Sequence, residues 1–348
     1  MYINYFEAYI NSLKVVFFQR NPSDGSYSVE GLFQIIREAM PGEIECEVAI
    51  PRYISSGFFK RVYNIVEASF RQGEINHIAG DVHFLSYLLR KKKTLLTVLD
   101  CVFTQNENIF YKKFIRLLWY VIPEKRVAVI TVISQATKDE LLKVVKCDPE
   151  KIKVIHACIS PRYSFMERKF NSSKPVILQV GTSSNKNLFR LFEALQGIPC
   201  RLDLVGKLTL EHKKSLLDFR IEYRNFLNLS ETEMINKYKE CDLVTFVSTY
   251  EGFGMPILEA NAVGRPVITG NVYSMPEVAG DAACIVDPFN VSAIKEGIVR
   301  IIEDLDYRTM LIENGENNLK RFKPKDIAKC YRDTYIEMLK QVYPQCAV

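Results

Sequence analysis

The chain has 348 residues, which is enough for two domains of ordinary size with buried cores. Hydrophobic residues make up 48% of it and charged residues 25%, which is the balance of a globular protein that is stable in water. The formal net charge is +5, and the excess of cations lies in the N-terminal half, notably in Arg90–Lys93 and Lys112–Arg126. We therefore expect this half to meet an anionic membrane surface, and not nucleic acid, since no recognised nucleic-acid motif accompanies the charge. The alternative for residues 111–122 is a core helix with one charged face.

Several classes of protein are disfavoured by the residue pattern. The nine cysteines are scattered and include no Cys-x-x-Cys pair, which argues against a disulfide framework or a zinc site. The first residues carry a carboxylate, Glu7, where a signal peptide would be basic and then apolar. No apolar run approaches the roughly 20 residues that cross a bilayer. We expect a cytoplasmic protein, either free or held peripherally at the inner face of the membrane.

The first 160 residues show short apolar runs that alternate with amphipathic stretches, which predicts an α/β domain with a parallel sheet. Helices are predicted over Val29–Ala39 and Lys138–Val145. The predicted strands are Leu13–Phe18, Glu45–Ala49, Ile75–Ala79, Thr94–Leu99, Ala128–Val132 and Lys153–His156. Residues 161–175 are polar and show no period, so we interpret them as an interdomain linker.

The same alternation resumes in residues 176–324, which predicts a second domain of the same class. Its predicted strands are Val176–Val180, Cys200–Val205, Leu243–Val247, Pro266–Thr269 and Ala283–Val286. Its predicted helices are Leu188–Leu195, Ser230–Lys239, Pro256–Ala262 and Val291–Leu305. Residues 325–348 contain a final helix, Lys325–Val342, predicted to pack across a domain surface. Two such domains leave a cleft between the carboxyl ends of their sheets, and ligands bind at such places.

Two glutamates flank the start of one predicted helix. Glu251 stands in the loop that follows a buried strand, and Glu259 lies about one turn into the helix. The glycines between them let the backbone approach a ligand, and the helix start favours an anion. A carboxylate at the position of Glu259 can accept two hydrogen bonds from a vicinal diol such as a ribose. The alternative is two ordinary solvated glutamates at a helix start.

A second candidate site is the turn Val180-Gly-Thr-Ser-Ser-Asn-Lys186, which joins a strand to a helix. A turn of this kind with hydroxyl groups and a lysine can hold an anion, although it lacks the order of a P-loop. The alternative is an ordinary turn with a solvated lysine. The single Asp-x-Asp, Asp304-Leu-Asp306, falls at the end of a predicted helix, and we assign no metal to it.

The segment Tyr250-Glu-Gly-Phe-Gly-Met-Pro-Ile-Leu-Glu-Ala260, followed by Gly264-Arg-Pro-Val-Ile-Thr269 and Ser274-Met-Pro-Glu277, resembles the family 4 glycosyltransferases of the GT-B fold. The resemblance is dense from about 176 to 300 and weaker before. It implies two doubly wound Rossmann-like domains that face a central cleft. It also implies a retaining transfer of a hexose-type sugar from a UDP- or GDP-sugar, without metal or other cofactor, to a glycan or polyprenyl-linked acceptor. Assembly of a cell-surface polysaccharide would be the setting.

The resemblance further implies a role for individual residues on the donor side. Glu259 would hold the donor ribose, Glu251 would lie near the transferred sugar, and Lys186 would neutralise the diphosphate. Thr182 stands where many members carry an arginine, so its hydroxyl would assist Lys186. The remaining donor-binding candidates are backbone positions near the sugar, phosphates and base: Gly25, Gly181, Leu229, Gly252, Phe253, Gly254 and Met255.

The N-terminal half departs from the family pattern at the acceptor side. Leu95–Asp100 resembles the family strand that often ends in His-Asp, but here Leu99 replaces the histidine and Asp100 remains. Asp100 is therefore a catalytic and acceptor-side candidate, and His83 is the alternative histidine. Two other function classes stay open: a sugar-nucleotide epimerase or phosphorylase with a related cleft, and a non-catalytic two-domain sugar-nucleotide binding protein.

Overall fold

A computed structural model describes residues 13–21, 28–105 and 107–343. The chain divides into two compact units, Met1–Cys158 with Pro324–Val348, and Ile159–Lys323. Each unit is an α/β domain built on one parallel sheet of six strands, as the sequence pattern predicts. No helix among the described residues is both long and apolar enough to cross a membrane.

The first unit has the strand order β2-β1-β3-β4-β5-β6, and every neighbouring pair is parallel. Its strands are β1 (Leu13–Phe18), β2 (Ile44–Ala49), β3 (Ile75–Ala79), β4 (Thr94–Val98), β5 (Val129–Val132) and β6 (Ile152–Val154). Its α-helices are Ser28–Glu38, Phe58–Phe70, Ile109–Ile115, Ile122–Arg126, Gln135–Val144 and Pro324–Val342, with a π-helical turn at Arg116–Val121. Short 3₁₀ turns lie at His83–Tyr87, Lys91–Lys93, Val102–Gln105 and Pro149–Lys151.

The second unit has the order β12-β11-β10-β7-β8-β9, again all parallel. Its strands are β7 (Val176–Val180), β8 (Arg201–Val205), β9 (Tyr223–Phe226), β10 (Leu243–Phe246), β11 (Val267–Gly270) and β12 (Cys284–Val286). Its α-helices are Leu188–Leu195, Leu210–Asp218, Glu231–Glu240, Met255–Val263, Met275–Ala279, Val291–Glu303 and Leu305–Asn318. Short 3₁₀ turns lie at Ser184–Lys186 and Leu319–Phe322.

The eleven strands predicted from the apolar runs are confirmed within two residues at each end. Strand β9 and the helices Phe58–Phe70 and Leu210–Asp218 were not predicted. Phe58–Phe70 is amphipathic, but its apolar side, which includes Phe59, Val62 and Phe70, is exposed, the reverse of the usual arrangement.

Residues 161–175, predicted as an interdomain linker, lie within the second unit, Ile159–Lys323. They contain no helix or strand, but their side chains are tied to this unit. The Arg168 guanidinium donates to the fully buried Asp242 carboxylate at 2.8 Å, and Asp242 also accepts from the backbone N–H of Val176. A buried carboxylate needs such partners, so this contact stabilises the packed segment.

The final helix, Pro324–Val342, belongs to the first unit. Its inner face buries Tyr331, Tyr335, Met338 and Leu339. The Tyr335 hydroxyl lies 2.7 Å from Nδ1 of His77, and Nε2 of that histidine lies 2.7 Å from the Thr97 hydroxyl. Both ring nitrogens are thus used within the core, and His77 has a structural role.

Candidate functional site

The second unit has its topological switch point between β7 and β10. The chain proceeds from β7 to β8 and β9 on one side of the sheet, and from β10 to β11 and β12 on the other. Loops that leave the carboxyl ends of two such strands diverge, and the gap between them is where doubly wound sheets bind ligands. Gly181–Lys186 follows β7 and Val247–Gly254 follows β10. The two strongest candidate segments therefore emerge side by side.

Lys186 and Glu251 meet at this point. The Lys186 Nζ lies 2.6 Å from the Glu251 Oε1, and each side chain keeps 16% of its surface exposed. The Asn185 amide donates to the same Glu251 oxygen at 3.1 Å and to the backbone carbonyl of Tyr250 at 2.9 Å. The Lys186 ammonium also lies 4.7 Å from the centre of the Phe246 ring, within the range of a cation–π contact. A cation and a carboxylate thus lie together, largely shielded from water, at the end of the sheet where doubly wound folds bind ligands.

Gly181 makes room for the Lys186 side chain. It has a φ of +86°, and a Cβ at this position would lie only 2.8 Å from Cε of Lys186. Glycine at this position therefore allows the positive φ and leaves space for the Lys186 side chain. The neighbouring Thr182 hydroxyl donates to the backbone carbonyl of Lys207 at 2.8 Å. Its proton is engaged within the protein, which leaves Lys186 as the cation that this turn could offer to an anion.

Ser274 contacts the backbone of the loop from Glu251 to Gly254. The buried Ser274 hydroxyl lies 2.9 Å from the carbonyl oxygen of Glu251 and 2.6 Å from that of Phe253. The Phe253 side chain is buried against the Phe322 ring at 5.8 Å, so only the Phe253 backbone can serve a ligand. Gly252 is half-buried beside it. Because Ser274 holds the carbonyl groups of Glu251 and Phe253, the backbone of this loop has a fixed conformation before any ligand binds.

Gly254 is the N-cap of the helix Met255–Val263 and has a φ of +124°. A glycine cap has no side chain to accept hydrogen bonds from the N–H groups of the first turn, and Pro256 lacks an N–H of its own. The helix start, at Met255, is therefore a place where backbone donors and the positive end of the helix dipole are available to an anion.

Glu259 lies in the same helix and is held by tyrosines. The fully buried Tyr238 donates its hydroxyl to Oε2 of Glu259 at 2.5 Å. Burial raises the pKa of Glu259, whereas hydrogen bonds from Tyr238 and Tyr163 act to lower that pKa. Leu229, the predicted neighbour of a base, lies half-buried in the loop after β9. A carboxylate with fixed orientation and two oxygens can still accept from a diol.

The acceptor-side candidates lie in the first unit. Asp100 follows β4 and accepts from the backbone N–H of Val102 at 3.0 Å, and burial raises its pKa. His83 is buried, its Nδ1 lies 2.7 Å from the Trp119 carbonyl, and burial lowers its pKa. His83 is thus a neutral ring fixed to the backbone, and Asp100 is the more accessible of the two. Gly25 lies outside the described residues.

Four residues of the site were missed by sequence reasoning. Asn185 directly precedes Lys186, and Ser274 begins the motif Ser274-Met-Pro-Glu277, so the position of each gave a signal in the sequence. Tyr163 and Tyr238 had none, because they come from a segment without secondary structure and from a different helix. Asp304, from the Asp-x-Asp sequence to which no metal was assigned, caps the helix Leu305–Asn318. Its side chain accepts a hydrogen bond from the backbone N–H of Tyr307.

Comparisons with known proteins agree on one family. Residues 164–318 match the family model for glycosyl transferases group 1. The O-antigen chain mannosyltransferase B of Escherichia coli is 46% identical over 80 residues, which cover 22% of this chain and 21% of that protein. The serotype-specific mannosyltransferase WbdA of Escherichia coli is 24% identical over 204 residues, 52% of this chain and 25% of that protein. This chain spans less than two thirds of the length of the first curated relatives it matches.

Among solved structures, HepE of Anabaena in complex with UDP and glucose is similar with a TM-score of 0.75. The match covers 92% of this chain and 99% of that chain at 15% sequence identity. At this identity the likeness concerns the fold, which is common to both.

Proposed function

We infer that this chain, which belongs to the glycosyl transferases group 1 and has the GT-B fold, transfers a hexose from a nucleoside-diphosphate sugar to a glycan or polyprenyl-linked acceptor. Retention of the anomeric configuration and a place in cell-surface polysaccharide assembly are parts of this proposal. The observation that carries it is the Lys186–Glu251 pair at the switch point of the second unit, beside the start of the helix Met255–Val263.

The chemistry needs what this arrangement supplies. A glycosyl transfer passes through an oxocarbenium-like state, and the leaving diphosphate gains negative charge as the bond to the sugar breaks. Lys186 and the backbone donors at the helix start can stabilise that charge without a metal ion. Glu251, held by Asn185 and Lys186, would then lie beside the positive sugar carbon. Glu259 would fix the ribose through two hydrogen bonds, and Asp100 would face the acceptor.

The relatives narrow the donors worth testing first. Two are named mannosyltransferases, and one structural neighbour was solved with UDP and glucose. GDP-mannose and UDP-glucose are therefore the first donors for a thermal-shift screen, with an ADP-sugar as control. A ligand that binds only the native state raises the melting temperature by mass action. No shift with any of the three would contradict the donor class.

Product analysis separates transfer from the alternatives. A transferase gives a new glycoside and free nucleoside diphosphate, an epimerase gives an isomerised donor, and a phosphorylase gives a sugar phosphate. We expect net transfer that persists in EDTA and falls by a factor of about 10²–10⁴ in Glu251→Gln, the range for a lost electrostatic or acid–base contribution. Unchanged turnover in Glu251→Gln would remove this residue from the mechanism.

We also propose that peripheral attachment to an anionic membrane brings the chain to a lipid-linked acceptor. The sequence points to Arg90–Lys93 and Lys112–Arg126 as the contact. In the structure, at least four of these side chains donate to internal partners. Arg90 donates to the Gly73 carbonyl and Lys93 to the Tyr343 hydroxyl. Arg116 and Arg126 donate to the backbone carbonyls of Val144 and Leu89. Lys91 and Lys92 remain exposed.

A further inference from the structure

The helix Phe58–Phe70 is built with its apolar side towards solvent. Asn64 and Ala68 are its buried residues, and Asn64 is tied to both backbone groups of Tyr53. The large side chains point outwards instead: Phe58, Phe59 and Phe70 expose 74%, 85% and 84% of their surface. Single exposed apolar residues are common, but a whole exposed helix face indicates an interaction site.

A second helix of the same unit also exposes apolar side chains. The helix Ile109–Ile115 has no buried residue among its seven, and Ile109, Phe110 and Phe114 are exposed, with Phe110 at 84%. One contact links the two regions: the Arg61 guanidinium of the first helix lies 4.8 Å from the centre of the Trp119 ring, in the π-helical turn that follows the second helix. We call the set Phe58, Phe59, Phe70, Ile109, Phe110 and Phe114 the aromatic surface.

The charges around the aromatic surface are mainly positive. Lys60 is exposed beside Phe59, and Lys113 is exposed beside Phe114. Lys112 lies half-buried in the same helix, and Arg52 is exposed in the loop before the first helix. Aromatic side chains that enter the boundary of a bilayer, with lysine and arginine at the level of the headgroups, are the composition of a membrane-surface helix. A protein partner of matching shape would not require this cationic border.

We propose that the aromatic surface docks on an anionic lipid bilayer, with the phenylalanines in the headgroup and acyl boundary and Lys60 and Lys113 against anionic headgroups. This inference rests on the proposed function, since it gives the membrane attachment a defined surface. It also moves the centre of that attachment from the lysine run at Arg90–Lys93 to the helix Phe58–Phe70, which the charge pattern alone does not indicate.

The test is flotation of the full chain with vesicles of phosphatidylcholine, with and without phosphatidylglycerol. The double variant Phe59→Ser/Phe70→Ser should bind mixed vesicles more weakly by roughly tenfold for each phenylalanine, since each substitution removes a large apolar side chain from the bilayer boundary. Lys113→Glu should weaken binding to the mixed vesicles only, and the loss should shrink as salt rises. Circular dichroism should show wild-type melting for both, because the substituted side chains are exposed.

Leu210→Ser is the matched control, because Leu210 is 85% exposed on a helix of the second unit. It should bind vesicles as the wild type does. The proposal is overturned if wild type binds neither vesicle, if the double variant binds unchanged, or if Leu210→Ser loses as much. It is also overturned if the double variant instead disperses a dimer seen by sedimentation without lipid.

Donor binding, read by thermal shift in the same variants, keeps this proposal apart from the proposed function. For the double variant, we expect the donor to raise the melting temperature as much as in wild type, while binding to vesicles is lost. Vesicle binding by a wild-type chain that shows no shift with any donor would leave the aromatic surface standing and contradict the transferase instead.

Discussion

The Lys186–Glu251 contact can be measured by a double-mutant cycle. The variants are Lys186→Met, Glu251→Gln and both together. The Nζ–Oε1 distance is 2.6 Å, and each side chain is 16% exposed. Exposed pairs contribute about 0.2–1 kcal/mol, and breaking a fully buried pair costs about 3–5 kcal/mol. A pair that keeps this small exposure should show a coupling free energy of about 1–2 kcal/mol.

The assay is urea unfolding followed by two probes, because a chain of two units need not unfold in one step. The single tryptophan, Trp119, belongs to the first unit, so its fluorescence reports that unit. Far-ultraviolet circular dichroism reports both units. The coupling should therefore appear in the transition seen by circular dichroism and leave the tryptophan transition in place.

Donor affinity gives the second measurement of the same variants. Lys186→Met should weaken binding of the preferred nucleotide sugar by about 10- to 100-fold, since a charge-assisted hydrogen bond contributes about 1.5–3 kcal/mol. A coupling free energy below about 0.3 kcal/mol, within the error of additivity, would refute the assignment of a stabilising pair. Donor affinity at the wild-type level in Lys186→Met would refute its role as the diphosphate cation.

Three further predictions concern the second unit. Burial raises the pKa of Glu259, so the wild-type protein loses stability as pH rises through that raised pKa and the carboxyl group ionises. Glu259→Gln stays neutral and should therefore gain thermal stability relative to wild type over that pH interval. A difference in melting temperature that is constant at all pH values would contradict this. The same variant should bind donor more weakly, by isothermal titration. Gly181→Ala should lose about 1–3 kcal/mol in urea unfolding, and more than Gly197→Ala, which has a similar φ of +81° and no atom within 4 Å of the added Cβ. Asp242→Ala should cost about 2–4 kcal/mol by removing the buried acceptor of its arginine partner, and a loss under 1 kcal/mol would show that the segment 161–175 is held otherwise.

Much of the fold could be predicted because parallel strands that are buried on both faces leave continuous apolar runs. Strand β9 was missed because Tyr223–Phe226 is only partly buried and carries Arg224 and Asn225. The helix Phe58–Phe70 breaks the rule that exposed positions are polar, since its outward side is mainly apolar. Strand β9 keeps that rule, because its exposed residue is Arg224.

The site shows a similar division. Glu251, Glu259 and Lys186 could be named from local motifs and from the family resemblance. The roles of the histidines could not, since burial of His83 and its contact with the Trp119 carbonyl depend on how distant segments pack. The role of Thr182 also depends on a contact, with the Lys207 carbonyl, that lies 25 residues away.

The sequence by itself determined the class of the two domains and named Lys186, Glu251 and Glu259 as candidate residues, because these follow from local periodicity and short motifs. Only the tertiary structure decided that Lys186 and Glu251, 65 residues apart, share one ion pair, that Tyr238 donates to Glu259, and that two helices of the first unit expose large apolar side chains. The physical reason is that strand order and helix packing join groups distant in the chain, and no local pattern encodes which groups meet.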